Sequence, residues 1–421
     1  MKAARLSVIA GVALAGLALA GCTGGGSGGS GGGDANANLT SKGPITYVQG
    51  KDNSNVVRPL IDKWNAAHPS EKVTFKEQTD QADQQHDDLV QHFQAKDPNY
   101  DVVDVDVVWT GEFAAKGWLQ PLTGDLKMDN SKLLAPTVKS GTYNGTQYAA
   151  PQTSDGGILY YRKDLVKTPP TTWDELMSDC SIAKTAKIGC YAGQFKQYEG
   201  LTVNFSESVN GAGGEIVKDD GKTPNLLTPE ATKGLQDLVD GFKNGNIPQE
   251  NLTFQEEPGR IAFEAGKYLF MRNWPYAYSL AKTDSTSVIK DKFDIAPLVN
   301  ASSLGGHDLA ISAYSKHQAT AHDFIAYMES DAVQKQIVLK ASLSPVIAAL
   351  YTDPELVKAA PYLPVLKESI LKAVPRPVTP FYPAVTQAIQ VNAFQALSGQ
   401  TDTATALKNM QAAIQSATSG G

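Results

Sequence analysis

Tyr268-Leu-Phe-Met-Arg-Asn-Trp-Pro-Tyr-Ala-Tyr278 is an apolar run that stops abruptly in a cluster of aromatic and polar groups. Tyr268 to Met271 reads as a short buried strand. Pro275 offers no N–H and biases Trp274 away from helix, so the strand cannot continue smoothly and Trp274 and Tyr276 fall at its end. Strand ends are where α/β proteins place ligands. A Trp beside a Tyr there offers flat apolar faces and hydrogen-bonding rims, which suits a polyhydroxylated ring with C–H faces to stack and hydroxyls to bond. The competing reading is that both rings are core.

Working outward from this stretch, Ile45-Thr-Tyr-Val48 reads as a first strand that ends in Gln49-Gly-Lys-Asp-Asn53. A helix with apolar residues at Val56, Leu60, Ile61 and Trp64 follows and stops before His68-Pro69. Val73-Thr-Phe75 is a second strand, and Leu89, Val90 and Phe93 mark a second helix. Asp101-Val-Val-Asp-Val-Asp-Val-Val108 is a third strand running into Trp109-Thr-Gly-Glu112. Strands alternating with helical patterns indicate βαβ units and a largely parallel sheet, with Asn53 and Asp106 exposed on one edge. Trp109 reads as a packing residue.

Further along, Tyr148 to Gly157 carries small polar residues that suit a crossing between lobes, and Ile158-Leu-Tyr-Tyr161 is a strand. Thr171-Thr172-Trp-Asp-Glu175 and Thr228-Pro229-Glu230 open helices by capping. Leu304-Gly-Gly-His-Asp-Leu309 and Ser344-Pro345 offer two more crossings. Helical patterns through Phe324, Ile325 and Met328, and through Val385, Ile389 and Phe394, close the chain. A chain of this length exceeds what one core holds, and repeated crossings imply two lobes on a hinge. Lobe one is assigned to 44–152 plus 303–343, and lobe two to 153–302 plus 344–421.

At the N-terminus, Lys2 and Arg5 precede an apolar run from Leu6 to Ala20. Residues 1–21 read as a secretory signal, the run being shorter than the roughly 20 apolar residues of a comfortable span. Leu19-Ala-Gly-Cys22 resembles the bacterial lipobox, which makes Cys22 the lipid-carrying first residue of the mature chain. The alternative is a plain signal with a chance cysteine. Residues 22–43, rich in Gly, Ser and Asn, form a flexible tether. Gly25-Gly-Ser27-Gly-Gly29 satisfies the hydrolase G-x-S-x-G pattern but lies in a repeat, not between a strand and a helix.

Cys180 and Cys190, in an exported chain, read as a disulfide worth roughly 2–4 kcal/mol, with two buried thiols as the rival. The formal charge is −7, and losing Lys2 and Arg5 with the signal makes it −9. No basic tract interrupts this, which argues against a nucleic-acid partner.

The block at 268–278 resembles the lobe-two aromatic strand end of extracytoplasmic sugar-binding lipoproteins of ABC importers. These belong to the maltose-binding-protein class, and the likeness is greater to its trehalose- and maltose-binding branch. Further blocks carry the same resemblance in order: Asp104 to Phe113, Gly156 to Asp164, Gln197 to Asn204, Leu304 to Gly306 and Pro375 to Tyr382. It covers the chain from about Pro44 to the C-terminus.

The resemblance implies an α/β, two-lobed periplasmic-binding-protein fold with a hinge and a ligand cleft between the lobes. It implies a monomer that captures an α-linked di- or oligosaccharide of trehalose or maltose type. Cargo would pass to permease subunits served by a cytoplasmic ATPase, with the chain lipid-anchored to the outer face of the bacterial cell membrane. Asp106 would reach the ligand from lobe one, Asp155 from the hinge strand, and Glu199 and Trp274 from lobe two, with Tyr276 and Asn53 nearby. Gly306 would let backbone approach the sugar, and Arg376 would close the far side. Carboxylates and an Arg fork give charge-assisted bonds to sugar hydroxyls. Two departures touch the identity of the sugar. His307 stands where related sequences carry an aromatic or amide, and Thr153 where one branch uses a Tyr.

Catalysis is the main alternative. Asp106 and Glu199 could serve as a glycosidase pair if they lie roughly 5 to 9 Å apart. A cell-wall glycan adhesin is a third reading. No H-E-x-x-H is present and the six His residues show no metal-ligand spacing, so neither metal nor cofactor is expected. Lys222-Thr223 lacks the glycine spacing of a P-loop, which assigns ATP to a partner. The reading adopted is a non-catalytic binder that closes on its sugar at a hinge.

Overall fold

A computed structural model describes residues 38–419. The signal, Cys22 and the tether up to residue 37 lie outside the described residues. In chain order the strands are β1 (Ile45–Gln49), β2 (Val73–Glu77), β3 (Val102–Asp106), a small hairpin of β4 (Thr142–Tyr143) and β5 (Thr146–Gln147), then β6 (Ala149–Gly156) and β7 (Ile158–Arg162). They continue as β8 (Gly189–Ala192), β9 (Tyr268–Asn273), β10 (Phe293–Pro297), β11 (Ser303–Ile311) and β12 (Val374–Pro375). A six-stranded sheet runs β12-β11-β3-β1-β2 with β6 also on β11, and a four-stranded sheet runs β10-β7-β9-β8.

Helices cover both sheets. The Val57–Ala67 helix turns Val57, Leu60, Ile61 and Trp64 inward, where they join Phe324, Ile325 and Met328 on one face of the first sheet. Leu89, Phe93, Phe113 and Trp118 cover its other face. All six positions of β9 are buried, as a strand covered on both faces requires. The expected helix starts are present: Thr172 and Glu175 form a reciprocal capping box, and the Thr228 side chain accepts from Ala231 N–H. Cys180 and Cys190 are bonded, joining the Trp173–Ala186 helix to β8.

The expected parallel pairing holds for the strands it is read from and for β11–β12 and β8–β9, but the sheets as wholes are mixed. β1 runs parallel to β2 and β3, but β11 is antiparallel to both β3 and β6, and β7 is antiparallel to β9 and β10. Parallel pairing needs a crossover, usually a helix, between strands. β6 passes into β7 through Gly157 alone, and β11 enters the first sheet directly from β10, so these hinge strands run against their neighbours. The third strand is also shorter than expected. The Asp106 carboxylate accepts the Val108 N–H at 3.2 Å and its carbonyl the Trp109 N–H at 2.8 Å, turning the chain into the Thr110–Ala115 helix.

Candidate ligand-binding site

Between the two sheets lies a cavity of about 260 Å³, reached by the end of β3, the loop after β1, the hinge strands β6 and β11 and the end of β9. All nine residues singled out from sequence line it: Asn53, Asp106, Asp155, Glu199, Trp274, Tyr276, Gly306, His307 and Arg376.

Pro275 ends the strand at Trp274. The Trp274 N–H donates to Asn273 Oδ1 at 2.8 Å, and its carbonyl accepts from the Tyr160 hydroxyl at 2.8 Å. The Tyr276 hydroxyl donates to Glu257 Oε1 at 2.7 Å, and Arg260 pairs with the same glutamate at 2.7 Å.

Also lining the cavity, Arg376 is an ionic bridge. Its Nη2 donates to Asp106 at 2.8 Å and its Nη1 to Glu199 at 2.5 Å, with the arginine side chain 2 % exposed. Glu199 also accepts from the Tyr382 hydroxyl at 2.5 Å and the Thr386 hydroxyl at 2.6 Å. Burial pushes the Glu199 carboxyl above its usual range, with Arg376 pulling the other way and Asp106 adding to the rise. Both Glu199 oxygens are therefore engaged by protein donors. A carboxylate so held is poorly placed to act as a free acid or nucleophile, which bears on the glycosidase alternative.

At the hinge, Asp155 accepts from the Ser344 hydroxyl at 2.6 Å, and burial raises its pKa. His307 Nδ1 meets Asp104 Oδ1 at 2.8 Å. Burial would lower the imidazole, but the Asp104 charge and hydrogen bond, with Asp106 and Asp155 beyond, lift it to about 10. His307 thus carries a charge at neutral pH.

The glycine pair does more packing than was expected of it. Gly306 has φ +104°, and a Cβ there would lie 2.3 Å from the Thr153 carbonyl oxygen, so the space it frees is taken by β6 backbone.

Sequence reasoning passed over Asp104, Tyr382, Thr386 and Asp83. Asp104 is two positions from Asp106 on a strand, hence on the same face, and that alternation was a usable signal. Tyr382 and Thr386 share a helix face at i, i+4. Asp83, whose carboxylate accepts the Glu199 N–H at 3.2 Å, gives no local clue, because 116 residues separate the partners.

Two α/β layers with strand ends converging on a shared cavity define the class of two-lobed binding proteins. The model of the bacterial extracellular solute-binding protein family matches residues 48–335, and the chain belongs to that family. It is 33% identical over 342 residues to a Deinococcus radiodurans protein called a probable ABC transporter-binding protein, covering 76% of this chain and 80% of that one. It is 25% identical over 296 residues to the maltotriose-binding protein of Pyrococcus abyssi, covering 67% and 62%. Maltose-bound MalE3 of T. maritima shares the fold with a TM-score of 0.83 at 33% identity, over 88% of this chain and 99% of that one. The chain is a solute-binding component of an ABC transporter and works outside the cytoplasm. These relatives are binding proteins, not enzymes. Among the described residues, no helix is long and apolar enough to cross a membrane, and no group of three or more His, Cys, Asp or Glu is placed to hold a metal ion.

Proposed function

We propose that the chain captures an α-linked di- or oligosaccharide, of trehalose or maltose type, by closing its two lobes on it. The observation that carries this is the composition of the cavity's lining. Trp274 offers an aromatic ring, and Asp106, Arg376 and Glu199 form a charged hydrogen-bonded cluster. Arg376 Nε is buried without a protein partner, a donor that a ligand oxygen can satisfy. Asp155, His307, Asn53 and Tyr276 supply further polar groups, and carboxylates beside an Arg fork suit vicinal hydroxyls. The maltotriose and maltose in the names of two similar proteins support an α-glucoside, while a mannitol-binding protein stands among the others.

The lobes that move are 44–152 plus 303–343 against 153–302 plus 344–421. Sugar that touches both lobes only when they close shifts the population toward that form by its differential affinity. The closed monomer then engages permease subunits while Cys22 holds it to the outer face of the membrane.

The test is titration calorimetry of the chain from Asn38 onward against trehalose, maltose, sucrose, maltotriose and cellobiose. One tight α-glucoside is the expected result. Tight binding of cellobiose alone, or release of monosaccharide from any of these sugars, would overturn the reading.

A further inference from the structure

Two positions before Trp274, and not among the groups assigned to ligand above, stands Arg272. Its side chain is 1 % exposed and its ion-pair partner Glu207 only 3 %. Nε donates to Glu207 Oε2 at 2.9 Å and Nη2 to Oε1 at 2.6 Å, a two-point fork, while Nη1 donates to Gln194 Oε1 at 3.2 Å. The guanidinium carbon lies 3.8 Å from the centre of the Trp274 ring. A fork bonded at two points cannot rotate about its axis, so the plane it presents to the indole is fixed.

Other contacts set the same ring. Glu207 Oε1 also accepts the Ser303 N–H at 3.1 Å, where β11 begins. A Cβ on Gly305 would lie 2.7 Å from the six-membered ring of Trp274, so β11 backbone approaches as closely as a glycine allows. Cation and hinge strand together leave the indole little freedom. Such a buried pair is seldom kept for stability, since well-packed apolar residues of similar volume often serve as well. Orientation is the property that apolar replacements would lose.

We propose that Arg272, oriented by Glu207, is the positioning residue that holds the Trp274 indole at the angle needed for a saccharide ring to stack on its cavity side. This rests on the reading of the cavity as a saccharide site. A cation under one face of an indole is attractive in itself and stiffens the ring without occupying the other face. Glu207 and Ser303 further tie the platform to the start of a hinge strand.

The test uses the chain from Asn38 onward, which holds both sheets and their cores. Arg272→Met/Glu207→Leu removes both charges together and leaves no unpaired ion. Trp274→Leu isolates the indole by difference. Without any sugar, the near-ultraviolet circular dichroism attributable to Trp274 is expected to fall by at least half in the paired variant, with far-ultraviolet spectra unchanged. With the sugar that the wild type binds, the paired variant is expected to lose at least tenfold in affinity. In the Trp274→Leu background the same pair of changes is expected to alter affinity less than twofold, because the effect runs through the ring.

An unchanged Trp274 signal, or an equal loss of affinity in both backgrounds, overturns the proposal. Should the paired variant fail to fold, Arg272→Lys keeps the charge but not the fork, and is expected to lose both Trp274 signal and affinity; retention of both would overturn the proposal. A wild type that binds no saccharide overturns the reading of the cavity separately, and the sugar-free spectra still decide whether Arg272 sets the ring.

Discussion

Asp106 and Glu199 stand on different layers of the molecule and share one cation, Arg376, at 2.8 and 2.5 Å. Asp106 ends a strand of the first sheet, whereas Glu199 opens a helix whose Leu201, Phe205 and Val209 belong to the core of the second. Removing Arg376 leaves two carboxylates facing each other in a poorly solvated place. Breaking a buried pair costs about 3–5 kcal/mol, and partial exposure of Asp106 puts this case toward the lower end. Arg376→Met is expected to lower Tm by several degrees and weaken sugar binding at least tenfold, with Arg376→Lys intermediate. Calorimetry that found both quantities unchanged would remove Arg376 from the site and from the bridge.

His307 should make stability depend on pH in the alkaline range. Its pKa rises from 6.5 to about 10 because Asp104 and other carboxylates outweigh burial. A raised pKa means that the folded state holds the proton more tightly than the unfolded chain. The stabilisation is then fully present below about pH 6.5 and is lost as pH climbs through about 10. The His307 side chain is 38 % exposed, so solvent screens the pair and a modest effect is expected. The Tm gap between wild type and His307→Gln should be widest at pH 6 and shrink by pH 10.5. A gap that stays constant over this range would show that the imidazolium charge is not what stabilises.

How far the sequence could be read depends on distance along the chain. β1, β3 and β9 announce themselves by runs of Val, Ile, Tyr and Phe bounded by breakers, and Pro275 marks the end of β9 unaided. Trp274, Asp106 and Arg376 were found because each lies at such an end or in a block with a family resemblance. The direction of β11 was not legible, because residue pattern shows which face of a strand is buried and not which neighbour it lies beside. The engagement of Glu199 was hidden for a related reason. Its partners Arg376, Tyr382 and Thr386 lie more than 170 residues downstream and meet it only when the Tyr382–Leu397 helix packs against the helix that Glu199 opens. Gly306 shows the converse case, where the residue was noticed and its neighbour, β6 backbone, was not.

The disulfide should act locally. Cys180 and Cys190 close a short loop from the Trp173–Ala186 helix to β8, both deep in the core of the second sheet. For a loop of this size the chain-entropy model gives about 2–3 kcal/mol. Cys180→Ala/Cys190→Ala is expected to lower Tm by several degrees and leave sugar affinity within twofold, since neither cysteine lines the cavity. A large loss of affinity without a change in Tm would contradict that separation.

Asp83 offers a way to change lobe closure without touching the ring or the arginine. Its Oδ1 accepts the backbone N–H of Glu199 at 3.2 Å, at the start of a helix whose own N-cap, Tyr198, makes no side-chain cap bond. Asp83 sits on the Ala82–Gln94 helix, which packs on the first sheet, so one lobe caps a helix of the other. Gln81 and Gln255 make a second such contact beside it. A cap carrying negative charge at a helix N-terminus is worth about 0.5–2 kcal/mol. Because it forms only when the lobes meet, its loss shifts the population toward the open form by that amount. Asp83→Ala is expected to weaken sugar binding about three- to tenfold and to raise by the same factor the sugar concentration at which small-angle scattering shows compaction, with little change in Tm. Saturating sugar should still give the compact profile. An Asp83→Ala protein with wild-type affinity and wild-type scattering would show that this cross-lobe cap contributes nothing to closure.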